Sequence, residues 1–308
     1  MKFLERFAHY LLPALMTLML VATVASAEEL WDPHLRGVDE GLTAGAVPPS
    51  GVYGVLDNYW AAYDLYDYDA HKTGVKLDAL VEVPIVLWNT GYQVFGADYA
   101  VAFAEPFDFT NVRATGVAAL SNNGHWGTYN TVLVPAILSW TLEGDWHVKT
   151  GLTIYADDAS TSPAHPPVYG GVGSGNGFWT FEPDLGVSWL SDGWNLSLGA
   201  SYSVNSADTK THYHSGQELA IDYTATKTVG KWIVGLGAHS ENQFTADSGA
   251  GAAGCAAKDG CKTNNLGIGP LIGYQFGGLE LMAEYNHNLH TENDVAGEIF
   301  NLRLVTAF

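Results

Sequence analysis

From about Val52 onward the chain keeps a two-residue rhythm. In the run Trp194 to Asn205, the apolar set Trp194, Leu196, Leu198, Ala200, Tyr202 and Val204 alternates with Asn195, Ser197, Gly199, Ser201, Ser203 and Asn205. Side chains of a strand point to opposite faces in turn, so this run is a strand with one apolar and one polar side. The same rhythm sets Leu77, Ala79, Val81, Val83, Ile85 and Leu87 against Asp78, Glu82 and Pro84. Laid along the chain it predicts twelve strands, at about 52–68, 75–88, 92–104, 128–141, 146–156, 178–190, 194–205, 214–228, 232–243, 265–276, 279–288 and 298–308.

The connections separate two kinds of greasy sheet. Short turns at Asn89-Thr-Gly91, Leu142-Glu-Gly-Asp145, Ser191-Asp-Gly193, Val229-Gly-Lys231 and Gly277-Gly278 alternate with long segments at 69–74, 105–127, 157–177, 206–213, 244–264 and 289–297. Soluble sandwiches mix loop lengths freely, whereas transmembrane barrels keep short turns on the periplasmic side and long loops outside. Trp88, Trp140, Trp146, Trp189, Trp194 and Trp232 all fall near a short turn, where a barrel carries its periplasmic-side aromatic girdle. In hydrocarbon every unpaired backbone group costs several kcal/mol, so such a sheet must close on itself. The fold class expected is therefore all-β, a transmembrane antiparallel β-barrel of about twelve strands.

Closure assigns the polar set to the lumen. Asp78, Glu82, Asp98, Glu182, Asp184, Glu218, Asp222 and Glu284 are expected to line it, with Lys149, Lys227 and Arg303 as partners. These charges read either as a cation-selecting ring or as ion pairs bracing a narrow, filled interior. In the second case an apolar solute would leave through the wall, where Pro84, Pro135, Pro183 or Pro270 interrupts strand pairing.

The first 27 residues have the features of a secretory signal: Lys2 and Arg6, an apolar stretch from Leu11 to Val24, then Ala25-Ser26-Ala27. Residues 28–50 lack alternation and end at Pro48-Pro49, as a periplasmic tail or a plug; the barrel proper is expected over 51–308. Against 33 Asp and Glu the chain has only 13 Lys and Arg, a net charge of −20, which argues against nucleic acid as a partner. Cys255 and Cys261 are expected to form a small disulfide loop in an oxidising compartment.

Catalytic arrangements find little support. His239 and Ser240 are adjacent on one strand and so point to opposite faces. The Gly171 to Gly177 run has no helix to present a dipole to phosphate. His165, His212, His214, His287 and His290 lack metal-ligand spacing, and neither a metal nor a cofactor is expected.

Several stretches carry a family resemblance: His34 to Tyr53, Pro135 to Trp140, Asn176 to Trp189, Gly193-Trp194-Asn195, Tyr213 to Glu218, Asp222 to Lys227, Gly269-Pro270 and Gly273-Tyr274. In order and over nearly the whole mature chain, these resemble the phenol-degradation meta-pathway outer-membrane proteins, relatives of the fatty-acid and toluene channels. The resemblance implies an outer-membrane channel for passive uptake of small hydrophobic or aromatic compounds. It supplies no set of binding residues. The partners expected are outer-membrane lipids, the solute, and the barrel assembly machinery, for which the terminal Phe308 resembles the recognition signal. A structural or surface-interaction barrel and a lipid-modifying enzyme are the other classes open to this sequence.

Overall fold

The computed structural model describes residues 32–114, 125–160 and 175–308. The expected signal segment 1–27 and the glycines of Gly171 to Gly177 that precede residue 175 lie outside them. Among the described residues fourteen strands run in chain order: β1 (Gly51–Tyr66), β2 (Lys72–Val94), β3 (Ala97–Ala104), β4 (Phe107–Ala114), β5 (His125–Thr128), β6 (Val132–Thr141), β7 (Trp146–Tyr155), β8 (Thr180–Ser191), β9 (Trp194–Asn205), β10 (Glu218–Val229), β11 (Trp232–Gln243), β12 (Asn264–Phe276), β13 (Leu279–Glu292) and β14 (Val295–Ala307).

Neighbours in sequence pair antiparallel around the ring, and β1 closes it by pairing with both β2 and β14. The wall has twelve positions, because β3 with β4, and β5 with β6, are each one wall strand broken in the middle. β2 pairs with β3 from Ile85↔Ala104 downward and with β4 from Glu82↔Phe107 upward. β4 and β3 in turn pair with β5 and β6. The expected loop at 105–127 therefore contains two strand pieces. A second departure lies at 289–297, where β13 and β14 meet in a turn at Asn293 and Asp294 instead of a long loop. The turn after β2 falls at Phe95-Gly96, and Asn89-Thr-Gly91 forms a bulge within that strand.

The pairing of β1 with β2 and β14 closes the sheet, which is what hydrocarbon demands of it. The outer face carries the exposed large side chains, among them Trp146, Leu198, Leu236, Ile272 and Phe300. Inside, the protein is packed. Tyr59, Ala61 and Tyr63 of β1, Leu77, Ala79, Val81 and Val83 of β2, and Ile299 of β14 form one buried apolar cluster.

Candidate functional site

The lumen has two unlike halves. From β8 to β14 the inward positions are mostly polar: Glu182, Ser188, Ser197, Ser203, Asp222, Thr224, His239, Glu241, Glu284, Asn286, Asn301 and Arg303 are all buried. From β1 through β3 to β6 they are largely apolar, with Val83, Ile85, Leu87, Ala102, Ala104, Val132 and Ile137 facing inward.

Residues 32–50 lie between the halves, inside the barrel. Pro48-Pro49 ends the segment, and successive tight turns compact it: Val38 N donates to Leu35 O at 3.0 Å, Glu40 N to Gly37 O at 3.1 Å, and Ala46 N to Thr43 O at 3.0 Å. Gly37 and Gly41 supply the left-handed backbone, at φ of 69° and 80°. Two arginines clamp it. Arg36 of the segment pairs with Asp32, Glu241 and Asp294, while Arg303 of β14 pairs with Asp57 at 2.7 Å and Glu284 at 3.0 Å and donates to the Val38 and Glu40 carbonyls.

Both ring nitrogens of His34 face carboxylates, Glu182 at 3.2 Å and Asp222 at 3.3 Å, an arrangement only the imidazolium satisfies. Burial alone would lower its pKa, but Glu182 and Asp222 overcome this and hold it well above 6.5. Glu40 moves the other way. Burial, with Asp222 nearby, pushes its carboxyl up to about 9, while Asn286 and Arg303 pull against the shift. It meets His239 Nδ1 at 3.0 Å and accepts from Asn286 at 2.9 Å.

Wall glycines make room for this seat. A methyl on Gly186 would overlap the Ala44 carbonyl, and one on Gly237 would overlap the Glu40 carboxyl. Gly45 N donates to Ser188 Oγ at 2.7 Å, Gly41 N to Thr224 Oγ1 at 2.8 Å, and Asn89 Nδ2 to Pro48 O at 2.7 Å.

Between the segment and the apolar half remains a cavity of about 520 Å³. Leu35, Val38 and Leu42 cover one side of it, and Val83, Ile85, Ala104 and Val132 the other. Lys149, Glu182 and Asp184 stand at its polar end. The cavity also touches a defect in the wall. Val83-Pro84 and Glu105-Pro106 fall between the two pairing runs of β2, joined by Glu105 N to Pro84 O at 3.4 Å. Pro135 sits in register slips toward both β3 and β7. Pairing also lapses beside Pro183 toward β9 and beside Pro270 toward β13. Each proline lacks the N–H that its neighbour strand would accept.

The predicted site residues can now be placed. Lys149, Glu182, Asp184, Glu218, Asp222, Glu284 and Arg303 face the lumen, with Lys149 Nζ 3.7 Å from Asp184. Asp98 shares a face with Ser139 at the short-turn end and accepts from Gln93 at 3.2 Å. Asp78, Glu82 and Lys227 are corrections: they lie outside the lumen, Lys227 on the face of β10 opposite Asp222 with its Nζ 5.1 Å from the Trp194 ring. Asp57, buried against Arg303, pairs with Val83, so the odd-numbered apolar residues of β2 face inward and Asp78 and Glu82 face out. The rhythm was right and its sense inverted, because β2 turns its greasy side to an apolar half-lumen instead of to lipid.

The six tryptophans all point outward near the short-turn end, Trp146 beside Trp189 and Trp232 in edge contact with Tyr274 at 4.7 Å. Cys255 and Cys261 are joined in a disulfide, packed with Tyr213 and Ala252 in a cap at the end opposite the short turns. Phe308 is exposed, its N–H donating to Val52 O at 2.9 Å. His239 faces the lumen and Ser240 the outside, as adjacent strand residues must. The alternation does not reveal the clamp residues Arg36, Asp57, Glu241 and Asp294, nor that His34 meets Glu182 and Asp222 and Glu40 meets His239. Their one signal was a cluster of charge, His34, Arg36, Asp39 and Glu40, in a segment without alternation.

A closed twelve-position barrel with apolar outer flanks and an internal N-terminal segment defines the class, an outer-membrane β-barrel. Within that class the chain belongs to the family described as the MetA-pathway of phenol degradation, whose profile matches residues 46–304. An outer-membrane channel from Pseudomonas putida F1 superposes with a TM-score of 0.73 at 16% identity, covering 88% of this chain and 100% of that one. The translocator domain of the autotransporter NalP from Neisseria meningitidis aligns at 0.48 and 10% identity, over 86% of this chain and 91% of its own. CymD, a monoaromatic hydrocarbon channel, aligns at 0.39 and 10% identity, over 84% and 89%. No curated protein sequence matches this chain.

Proposed function

We propose that the protein is a passive outer-membrane channel for small hydrophobic or aromatic compounds, acting by transport and not by catalysis. The observation that carries this reading is the apolar cavity behind the N-terminal segment, lined by Val83, Ile85, Ala104 and Val132 and adjoining the pairing defect at Pro84 and Pro106. A hydrophilic solute gains nothing there, whereas each buried CH₂ of an apolar one gains about 0.8 kcal/mol. A volume of about 520 Å³ suits one small molecule or a single alkyl chain. The charged half of the lumen serves to hold the segment, since Glu182 and Asp222 engage His34, and Glu284 engages Arg303, which donates to the Glu40 carbonyl. The route runs from the cavity through the weakened wall, and a concentration gradient is its only drive.

Uptake of labelled toluene by cells with and without the protein tests this. Faster uptake with the protein, together with little swelling of sugar-loaded liposomes, is expected. Equal toluene uptake in both strains would overturn the reading.

A further inference from the structure

Resting on that uptake reading, we propose that the cavity selects by head-group charge, accepting single-chain amphiphiles headed by an amine or a hydroxyl and rejecting those headed by a carboxylate. The cavity has one greasy wall and one acidic wall. Asp39, Glu182 and Asp184 line the acidic side, with Lys149 and the His34 imidazolium as the cations beside them. Glu182 is engaged, accepting from Ser203 at 2.9 Å and Tyr155 at 3.3 Å and pairing with His34 at 3.2 Å.

Asp184 is less well served. Its Oδ1 is buried without a hydrogen bond, and Lys149 Nζ stands 3.7 Å away. A buried acceptor without a donor favours any ligand that brings one. A chain lying along Val83, Ile85 and Ala104 would carry its head across the cavity to this oxygen. An ammonium or hydroxyl head can donate there. A carboxylate head cannot, and it meets the like charge of the acidic wall.

A second observation lies outside the wall. Glu82 faces outward beside the pairing defect and makes no hydrogen bond or ion pair among the described residues. Glu82 outside the defect and Asp184 across the cavity therefore favour the same head group.

The test is displacement of a fluorescent hydrophobic probe, N-phenylnaphthylamine, from the full-length protein in detergent near neutral pH. Decylamine, decanol and decanoate are the competitors. Decylamine should compete at least about tenfold more strongly than decanoate, with decanol between them. Asp184→Asn should narrow that ratio and Lys149→Met should widen it, with folding of each verified by the heat-dependent gel shift of a closed barrel. Should Asp184→Asn fail to fold, Lys149→Met carries the test, because the inference requires its ratio to rise. Equal competition, or decanoate the strongest, would overturn the charge selection while leaving hydrophobic uptake standing. If none of the three displaces the probe, the uptake reading falls with it.

Discussion

Arg303, five residues before the end of the chain, donates from Nη1 to the backbone carbonyl of Glu40 at 2.7 Å, eleven residues before the first strand begins. The last strand thus holds the segment that precedes the first. The same guanidinium balances Asp57 of β1 and Glu284 of β13, so the closing seam of the barrel and the seat of the segment share one side chain. Seam and segment are expected to form together.

Arg303→Met tests that dependence. Removing one partner of a buried ion pair costs about 3–5 kcal/mol, because the carboxylates left behind stay uncompensated. The segment should loosen. Arg36 is buried and is the only trypsin site between Glu28 and His71, so its cleavage reports release. Faster cleavage at Arg36 and a larger single-channel conductance are expected, and wild-type values for both would show that Arg303 does not hold the segment.

Gly186→Val displaces the segment without touching a charge. Its side chain would occupy the place of the Ala44 carbonyl, so residues 43–46 should lift from the wall and conductance should rise. Gly278 has open space around it and an ordinary φ, so Gly278→Ala should leave conductance and thermal stability unchanged within about 0.5 kcal/mol.

The inverted sense of β2 also has a measurable consequence. Val83 lines the cavity and its neighbour Glu82 points outward. Val83→Asp should lower toluene uptake several-fold by placing an unpaired acid in an apolar pocket. Glu82→Gln should leave toluene uptake near wild type, as a group on the outer surface does not contact a neutral solute in the cavity. The opposite pair of results would restore the facing first read from the sequence.

Most of the wall was legible because half-buried strands write their facing in a period of two, as β9 does from Trp194 to Asn205. Periodicity gives two faces without saying which is wet. For β2 the usual assignment failed, since an apolar half-lumen and lipid ask for the same residues at Val81 and Val83. The pieces β4 and β5 were hidden by Pro106 and by the interval Tyr129 to Thr131, which break the rhythm while the wall continues. The segment 32–50 has no repeating backbone geometry, so nothing in its sequence could reveal that Arg36 meets Glu241 or His34 meets Glu182 from across the barrel. Such contacts are set by closure and by the wall glycines Gly186 and Gly237.

The seating of the segment should weaken as pH rises. Two of its groups titrate in the same sense. His34 has its pKa raised above 6.5 by Glu182 of β8 and Asp222 of β10, despite burial, with Asp39 of its own segment close by. Its contribution to seating is full below 6.5 and is lost as pH climbs through the raised value. Glu40 has its carboxyl raised from 4.5 to about 9, so seating favours its neutral form, fully so below 4.5 and progressively less toward 9. Its neighbours are His239 of β11, Asn286 and Glu284 of β13, Asp222 of β10 and Arg303 of β14. Of these, Asp222 opposes ionisation of Glu40 and Arg303 favours it, and burial exceeds both. Hydrogen–deuterium exchange of residues 32–48, corrected for intrinsic rate, should therefore show protection falling from about pH 5 to about pH 9. Glu40→Gln keeps the neutral shape at every pH and should flatten the upper part of that decline. Protection that rises with pH, or a slope unchanged in Glu40→Gln, would show that other groups govern the seat.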